Sequence, residues 1–392
     1  MSMLVVSNDV IPGFGVPVAA PGIRAAGLAE GFRGHGIDVD VTVPSTVLDQ
    51  VWTRPVPPSP PPGVTVLDPN GLAEFIEARG YDHVVFTNAN MAPHLRPNDG
   101  TTYVFDMFAP KILELLASGR HDRDWVDDAR RKERALALSD HVLVNGRRKY
   151  GYALGWLLRP SVERIRINDH GLRRLVDGDP AEHVSIVEMP IPLPPGIGVE
   201  CTPRAGGQVR VGMAGYTQAW SVLDDQAPAI SAPLDAGFEV HVLAPRHWGG
   251  ADSATAEVPD LPAGVTQHDG PLGWADFGRW VQSMHVIVDE FSPSAERSLA
   301  MITRTTVALR FGVPVIHGAD SEVSDMIREH DAGWVVAPGD GDAWARAMAE
   351  AADPDVLDRK RTGARELSVE RLAPRRAVES AVTALGLMGS TT

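Results

Sequence analysis

A polar segment, residues 290–298, combines carboxylates, a guanidinium and hydroxyl groups within nine positions. Glu290 and Glu296 offer carboxylates that accept hydrogen bonds from hydroxyl groups, and Arg297 offers the planar guanidinium that binds phosphate through paired N–H groups. The hydroxyl groups of the segment belong to Ser292, Ser294 and Ser298. Such a segment can bind a hydroxyl-bearing group and a phosphate at the same time.

The flanking sequence predicts how this segment is positioned. His285–Asp289 is a β-branched run typical of a buried parallel strand, and Val313–His317 is the next strand. Between them, Ser294 is suited to cap one continuous helix that Gly312 ends. The positions that recur at helical spacing are Leu299, Ile302, Thr306 and Leu309. The segment would lie where a strand ends and a helix begins, and there α/β sheets bind ligands and unpaired N–H groups attract phosphate.

Two more groups in the second half of the chain could bind a diphosphate. Gly215, Tyr216 and Thr217 follow a predicted strand, and a glycine there lets backbone N–H groups approach a phosphate, although an ordinary turn is the alternative. Arg304 follows Arg297 by seven residues, so the predicted helix would present both on one face. Arg304 could instead pair with an acid.

Glycines and polar residues in the first half are candidates for substrate contact. Gly13 and Gly15 form a G-F-G turn after the first predicted strand, but a dinucleotide fingerprint needs a third glycine and an acidic residue that this sequence lacks. The turn could let the backbone approach phosphates and an acceptor molecule, or it could be an ordinary βα turn. Polar residues near predicted strand ends that could contact a substrate hydroxyl are Asn8, His94 and Asp106. For Asp106, a turn-capping role is the alternative.

Composition and charge exclude several classes of function. The chain has 392 residues, 44% of them apolar and 22% charged, which is ordinary for a globular protein long enough for two domains. Its formal net charge of −15 argues against a broad nucleic-acid surface, because phosphate backbones need a basic face. Its one cysteine, Cys201, allows no internal disulfide, so a reducing cytoplasm is the expected location.

Several familiar motifs are missing from the sequence. No spacing of His, Cys, Asp or Glu fits a metal site, and there is no P-loop and no G-x-S-x-G motif. No apolar run reaches the ~18 residues of a membrane span, and the first residues do not resemble a signal peptide. We therefore expect no bound metal, no membrane span and a cytoplasmic protein.

Two series of alternating strands and helices predict an α/β protein with two doubly wound parallel sheets. The Pro/Gly-rich linker Pro190–Gly207 separates them and gives domains at 1–195 and 207–370. In the first series, a proline-rich connector at Pro55–Pro62 leads through a helix to the third strand. A terminal helix over 371–387 could pack back on the first domain.

Six segments together resemble the GT-B glycosyltransferases, closest to the retaining, family 4-like branch of bacterial cell-surface and natural-product pathways. The segments are VFDMFAP, NGRRKYGYALGWLL, VEMPIP, VGMAGYTQAWSVLD, ERSLAMITRTTVALRFGVPVI and GWVVAPGD. The resemblance covers nearly the whole chain and implies two Rossmann-like domains facing across a cleft. The first domain would bind the acceptor and the second the nucleotide sugar. Enzymes of this type typically need no divalent ion.

The resemblance also implies roles for single residues. Backbone groups near Gly270 and Leu272 would hold the nucleobase, and Glu296 would bind the transferred hexose. For Glu296, the alternative is an acid in the first turn of a helix, where the helix dipole favours it. Many relatives carry two glutamates that flank seven residues in this loop and helix. Their ungapped positions are occupied here by Leu299 and Val307, so the sugar and ribose contacts must differ.

These features together predict a cytosolic hexosyltransferase. It would move a sugar from a UDP-, dTDP- or GDP-linked donor to a hydroxyl or amine of a small molecule or glycan, with retention and without a cofactor. Asp106, Glu296 and Arg297 are the catalytic candidates, with Glu290, Ser294, Ser298 and Arg304 as donor contacts. Two alternatives remain open: a silent GT-B subunit that activates a partner transferase, and a sugar-nucleotide epimerase. A homodimer is also open.

Overall fold

The structure is a computed structural model. It describes residues 1–52, 58–117, 123–158, 184–194, 208–215, 227–243, 261–268, 270, 272–318 and 320–387. The chain forms two compact units. Unit 1 comprises Met1–Pro194 and Pro374–Thr392, and unit 2 comprises Pro195–Ala373.

The described part of unit 1 is built on a seven-stranded parallel sheet of order β3-β2-β1-β4-β5-β6-β7. The strands are β1 Ser2–Val6, β2 Asp38–Pro44, β3 Val64–Leu67, β4 His83–Phe86, β5 Thr102–Asp106, β6 His141–Val144 and β7 Ser185–Glu188. The inner strands are almost wholly buried, because helices cover both faces of such a sheet and both sides of each strand must be apolar.

Helices flank this sheet, and the end of the chain returns to it. The helices are α1 Ala20–Arg33, α2 Ser45–Val51, α3 Leu72–Arg79, α4 Lys111–Ala117, α5 Arg123–Leu138 and α6 Arg147–Leu157, with 3₁₀ turns at Pro69–Gly71 and Ala89–His94. The terminal helices, Pro374–Ala377 and Glu379–Ala384, contact α1 and β7 respectively. The close approach to α1 depends on Gly31, since a Cβ there would lie 2.6 Å from the carbonyl oxygen of Pro374.

Unit 2 repeats the plan with a six-stranded parallel sheet of order β10-β9-β8-β11-β12-β13 in its described part. The strands are β8 Arg210–Ala214, β9 Glu239–Leu243, β10 Val265–Gln267, β11 Val286–Glu290, β12 Val315–Gly318 and β13 Gly333–Val335. Its helices are α7 Ala227–Asp235, α8 Trp274–Gln282, α9 Ala295–Leu299, α10 Thr303–Arg310, α11 Glu322–Glu329, α12 Gly341–Ala351 and α13 Pro354–Leu367. A π-helical turn, Ser368–Leu372, follows α13.

The prediction of two doubly wound parallel α/β sheets is confirmed. Local predictions were wrong at β3, in the terminal helix and in the helix after Ser294. Strand β3 was missed because Val64–Leu67 is only four residues long and follows the proline-rich connector. The terminal helix is interrupted at Val378, where ψ is 1°.

The helix predicted after Ser294 as one continuous element is two helices. Helix α9 ends at Leu299, and α10 begins only at Thr303. Between them, Ala300 and Ile302 have ψ angles of 134° and 108°, and residues Ala300–Ile302 are buried. The stretch therefore buries its apolar side chains in an extended conformation. The β-branched residues that follow it in the sequence favour a helix only weakly.

Candidate functional site

The predicted polar segment lies at the carboxyl end of β11, as expected from the sequence. Ser294 caps α9, because its Oγ accepts a hydrogen bond of 3.0 Å from the backbone N–H of Arg297. The Oγ of Ser298 donates to the carbonyl oxygen of Ala295 at 2.9 Å. Both hydroxyl groups thus hold the turn together, and a helix of five residues has a small dipole. Positive charge at this place must come mainly from side chains.

Two guanidinium groups share the aromatic ring of Phe291 at this edge of the sheet. The Cζ atom of Arg297 lies 4.1 Å from the ring centroid, and that of Arg304 lies 4.8 Å from it. The prediction that both arginines lie on one face of a single helix was wrong, because Arg297 is on α9 and Arg304 is on α10. The fold nevertheless brings the two side chains together. Cation–π contacts of this kind hold a guanidinium in place while its N–H edge can bind an anion.

Each arginine also lies beside a carboxylate. The Nε of Arg297 is 2.7 Å from Oε2 of Glu296, and both side chains are less than one-tenth exposed. The Nε of Arg304 is 3.9 Å from Oδ1 of Asp289, and 17% of the Arg304 side chain is exposed. Burial lowers the pKa of Arg304 below its usual value, Asp289 opposes that shift, and the nearby charge of Arg297 adds to it. A ligand anion would relieve this crowding of like charges.

The glycine turn after β8 meets Arg304 directly. Gly215 has a φ of +126°, which favours glycine, and a Cβ there would lie 2.8 Å from Nε of Arg304. The turn and the guanidinium are therefore in contact only because position 215 has no side chain. Tyr216 and Thr217, predicted to act with Gly215, lie outside the described residues.

A buried polar network behind Arg304 was missed by the sequence reasoning. Asp289 accepts a hydrogen bond from the hydroxyl of Thr305, and its Oδ2 is 3.4 Å from Nδ1 of His317. The Nε2 of His317 lies 3.0 Å from the Oγ of Ser321. Burial, the largest influence, favours the neutral acid, but His317, Arg304 and Thr305 together hold the pKa of Asp289 below its ordinary value.

A signal for this network was available in the sequence. Asp289 and His317 are polar residues at the carboxyl ends of two apolar strands, and the register of β11 and β12 places them side by side. A buried pair of polar residues at matched strand ends is more informative than either residue alone, since buried polar groups need partners.

Glu290, predicted to contact the donor, is instead a buried link between backbone segments. Its Oε1 accepts from the N–H of Gly339 at 2.8 Å and from Nε1 of Trp344 at 3.2 Å, and its Oε2 accepts from the N–H of Ala229 at 3.2 Å. The side chain has no exposed surface. These three donors explain how a carboxylate can be buried here, and they indicate a structural role for Glu290 in unit 2.

The two residues expected near a nucleobase precede α8, whose first residue belongs to an aromatic cluster. Gly270 is exposed and has a φ of +65°, and Leu272 is half-buried. Trp274, on the first turn of α8, packs 5.4 Å from the ring of Phe311. Because residues 269 and 271 are outside the described part, these positions remain predictions.

In unit 1, the predicted catalytic residue Asp106 is fully engaged in a buried ion pair. Its Oδ2 accepts from Nε of Arg24 and its Oδ1 from NH2 of the same residue, both at 2.8 Å, and neither side chain is exposed. Arg24 also donates to the carbonyl oxygen of Pro190 at 3.3 Å. The ion pair links β5 to α1, and the bond to Pro190 links α1 to the end of the Met1–Pro194 part of unit 1. The structure therefore favours a structural role over contact with a substrate hydroxyl.

The other candidates of unit 1 occupy its loops. Gly13 and Gly15 have φ angles of +112° and +72°, so both use the left-handed region. His94 is half-buried at the end of a 3₁₀ turn. The Oδ1 atom of Asn8 is buried and has no hydrogen-bond partner among the described residues. An unsatisfied buried atom next to a strand end is a candidate ligand contact.

Asp9, which the sequence reasoning did not single out, follows Asn8 and is 6% exposed. Its Oδ1 accepts from the N–H of Val10 at 2.7 Å. Burial raises the pKa of Asp9 to about 7, and the bond from Val10 opposes the shift. Such a carboxyl changes its charge near neutral pH.

The described part of the chain has neither a metal-binding cluster nor a membrane-spanning helix. No group of three or more His, Cys, Asp or Glu residues could hold a metal ion in the parts of the chain that were described. Among the same residues, no helix is both long and apolar enough to cross a membrane.

Comparison with known proteins gives matches only among solved structures. No protein-family model matches the sequence, and no curated protein matches it significantly. Sucrose-phosphate synthase from Thermosynechococcus elongatus is 15% identical, with a TM-score of 0.63 over 99% of this chain and 98% of that one. HepE from Anabaena, solved with UDP and glucose, is 12% identical, with a TM-score of 0.59 over 98% and 99%.

A third similar structure is WaaG, a glycosyltransferase involved in lipopolysaccharide biosynthesis. It is 11% identical and has a TM-score of 0.58, with the full length of both chains covered. Similarity at this level of sequence identity establishes the fold, and the activity has to be inferred from the residues of the site. The chain has the fold of the GT-B glycosyltransferases, with two parallel-sheet α/β domains.

Proposed function

We propose that this protein is a glycosyltransferase that uses a nucleoside diphosphate sugar as donor. The observation that carries the proposal is the pair of guanidinium groups on Phe291, one of which touches the turn at Gly215. Two neighbouring guanidinium groups at a strand end suit a diphosphate, because each can offer two parallel N–H donors to phosphate oxygens.

The proposed chemistry breaks the bond between C1 of the sugar and the diphosphate oxygen. The bonding electrons leave with the diphosphate, and Arg297 and Arg304 would stabilise its growing negative charge. An acceptor hydroxyl or amine forms the new bond to C1 and releases its proton to the leaving phosphate oxygen. Because two side chains offset the charge, we expect the reaction to need neither a metal ion nor a cofactor.

Glu296 has a place in this proposal through its ion pair with Arg297. A diphosphate that binds Arg297 would compete for the same guanidinium, and Glu296 would then be available to a hydroxyl group of the transferred sugar. In this role the carboxylate would bind the sugar only when the diphosphate is present. That order would favour intact donor over free sugar.

The finer parts of the proposal draw on the resemblance and on the similar structures. HepE was solved with UDP and with UDP-glucose, and we extend a UDP-, dTDP- or GDP-linked hexose to this chain as the donor class. Transfer with retention, a cytoplasmic location and a role in bacterial cell-surface or natural-product biosynthesis follow the branch that the sequence resembles. Unit 1 would bind the acceptor, a small molecule or a glycan.

A panel of UDP-, dTDP- and GDP-glucose, incubated with the purified chain with and without simple acceptors, tests this function. We expect release of one nucleoside diphosphate, and we expect an R304Q variant to lose most of that release. The matched control is R328Q, because Arg328 is an exposed arginine of the same unit. Binding of a nucleotide without turnover under all conditions would contradict catalysis and indicate a silent subunit. NMR of the product anomer would test retention.

A further inference from the structure

The buried polar network behind Arg304 has no task in the chemistry proposed above. Its members are Asp289 of β11, Thr305 of α10, His317 of β12 and Ser321, the N-cap of α11. None of these four side chains has any exposed surface. Because buried polar groups need partners, the order of the contacts between them indicates what the network does.

The end of the network farthest from Arg304 is fixed by the start of α11. Ser321 and Ser324 form a capping box there, in which the Oγ of Ser324 accepts from the N–H of Ser321 at 3.0 Å. The Oγ of Ser321 lies 3.0 Å from Nε2 of His317. The start of a helix therefore holds one edge of the imidazole ring, and the other edge faces Asp289.

Asp289 is held through one of its two carboxylate oxygens. The hydroxyl of Thr305 donates to its Oδ2, and Nδ1 of His317 lies 3.4 Å from the same oxygen. The register of β11 and β12 pairs Asp289 with His317, so the backbone maintains this contact. Burial raises the pKa of Asp289, but His317, Arg304 and Thr305 outweigh burial and hold the pKa below its ordinary value. The side chain is therefore a carboxylate at neutral pH, fixed at Oδ2.

The other oxygen of Asp289 faces Arg304. This Oδ1 accepts no hydrogen bond from any residue that the structure describes, and it lies 3.9 Å from Nε of Arg304. In the closed pair of unit 1, by contrast, Arg24 donates to both oxygens of Asp106 at 2.8 Å. Asp289 thus attracts the guanidinium of Arg304 across a short gap and makes no hydrogen bond to it through Oδ1.

Two further contacts limit where the guanidinium of Arg304 can lie. Its Cζ is 4.8 Å from the ring centroid of Phe291, and a Cβ at Gly215 would be 2.9 Å from the same atom. The Arg304 side chain keeps 17% of its surface exposed in this position. A long side chain that is oriented before its ligand arrives loses less conformational entropy on binding, and supporting residues around a binding group have this effect.

We propose that Asp289 is a positioning residue, which holds the guanidinium of Arg304 in the orientation that binds a diphosphate. Thr305 and His317 act behind Asp289 by fixing its carboxylate. The inference rests on the proposed function for the identity of the ligand, whereas the orientation of Arg304 can be measured without any ligand. A network that served only the fold would stabilise unit 2 and leave the orientation of Arg304 unchanged.

The Nε–H signal of Arg304 in a nitrogen–proton NMR spectrum of the full chain tests the positioning directly, and its loss in R304Q assigns it. We expect a sharp signal in the wild type and a signal broadened by solvent exchange in D289A. T305V should broaden it as well, although this variant keeps the charge of Asp289 and the size of the side chain. A wild-type signal that is already broadened, or signals in D289A and T305V as sharp as in the wild type, would overturn the proposal.

Two matched controls belong to the same unit. D325A removes an exposed aspartate that lies 3.2 Å from Arg328, and T362V removes the hydroxyl of an exposed threonine. Neither should change the Arg304 signal. A change of that signal in the controls as large as in D289A would mean that the signal reports general loosening of unit 2, which would also overturn the proposal.

A double-mutant cycle then shows whether Asp289 acts on binding through Arg304. UDP, dTDP and GDP are titrated calorimetrically, and a nucleotide that binds the wild type should bind D289A at least tenfold more weakly. Loss of the negative charge alone would strengthen the binding of an anion, so weaker binding identifies the loss of orientation. In the R304Q background, D289A should change the affinity less than twofold.

The outcomes of the cycle separate this proposal from the proposed function. Unchanged or stronger binding by D289A, or an equal loss of affinity in the wild-type and R304Q backgrounds, would overturn the positioning role. If none of the three nucleotides binds the wild type, the proposed function fails, and the NMR signal of Arg304 still decides whether Asp289 positions it.

Discussion

The two sheets share the order of their first six strands, and each has an arginine beside an aspartate near its carboxyl edge, but the two pairs are built differently. In unit 1, Arg24 and Asp106 form a closed pair in which both carboxylate oxygens are used and neither side chain is exposed. In unit 2, Arg304 lies 3.9 Å from Asp289, keeps part of its surface exposed and lies against a glycine turn. The same architecture thus places one arginine in the core and the other at a surface edge.

This difference shows how to distinguish a structural ion pair from a binding group. In a buried ion pair whose carboxylate oxygens all accept hydrogen bonds, those bonds offset the free-energy cost of desolvating the charges, and the role of the pair is structural. Two guanidinium groups held on one aromatic ring form a cationic edge at which an anion can bind. Both arginines lie beside an aspartate at or near the end of a strand, so that position does not separate the two cases.

The largest expected effect comes from opening the closed pair. D106A leaves the charge of Arg24 buried without its partner, which should lower the free energy of unfolding by about 3–5 kcal/mol. Urea unfolding at neutral pH would measure this loss, and an R24M/D106L double variant should recover much of it. A D106A protein of normal stability that has lost turnover would contradict the comparison and return Asp106 to the catalytic role predicted from the sequence.

Removing Arg304, which is partly exposed, should affect activity more than stability. R304A takes away a charge that would stabilise the departing diphosphate, so kcat/KM for the donor should fall roughly 100- to 1000-fold. Steady-state release of the nucleoside diphosphate would measure it, with R328A as the exposed control. Turnover within a few-fold of the wild-type rate would show that the pair on Phe291 is not the diphosphate site.

The smallest expected effect concerns Asp9, a buried carboxyl of unit 1 that has no charged partner, in contrast to Asp106. Because burial raises the pKa of Asp9 from 3.8 to about 7, the folded state binds a proton more tightly than the unfolded state. The stability that this proton contributes is present below about pH 4 and is lost as the pH rises through about 7. D9N should therefore stabilise the chain at pH 8, by at most about 4 kcal/mol, and less at pH 5.

Thermal unfolding of the wild type and D9N at the two pH values checks this, with D49N as the exposed control. Asparagine keeps the oxygen that accepts from Val10, so the backbone turn should be preserved. An equal effect of D9N at pH 5 and pH 8 would mean that Asp9 is not a buried carboxyl with a raised pKa.

The sequence predicted the sheets well because their signals are local. Short apolar runs bounded by glycine and proline were enough to place β11 and β12, and Ser294 was correctly expected to cap a helix. The break between α9 and α10 was not predictable from spacing, since Ala300–Ile302 fit a helical pattern and an extended core segment equally well. Tertiary burial decided between them.

The sequence predicted which residues belong to the site better than it predicted how they are arranged. Arg297 and Arg304 were chosen as neighbours on one helix face, and the structure brings them together through Phe291, which spacing alone did not reveal. Glu290 looked like a ligand contact because it ends a strand, but Gly339 and Trp344, which bind it, are about 50 residues away in sequence. Partners at such separation are decided by the fold.

Calorimetric titration of UDP, dTDP and GDP into the wild-type chain and an R297Q/R304Q variant tests the central claim most directly. The account predicts that at least one nucleotide binds the wild type and that the double variant binds it at least 100-fold more weakly while remaining folded. Equal affinity in the two proteins, or no binding of any of the three to the wild type at millimolar concentration, would contradict the assignment of this edge as a diphosphate site.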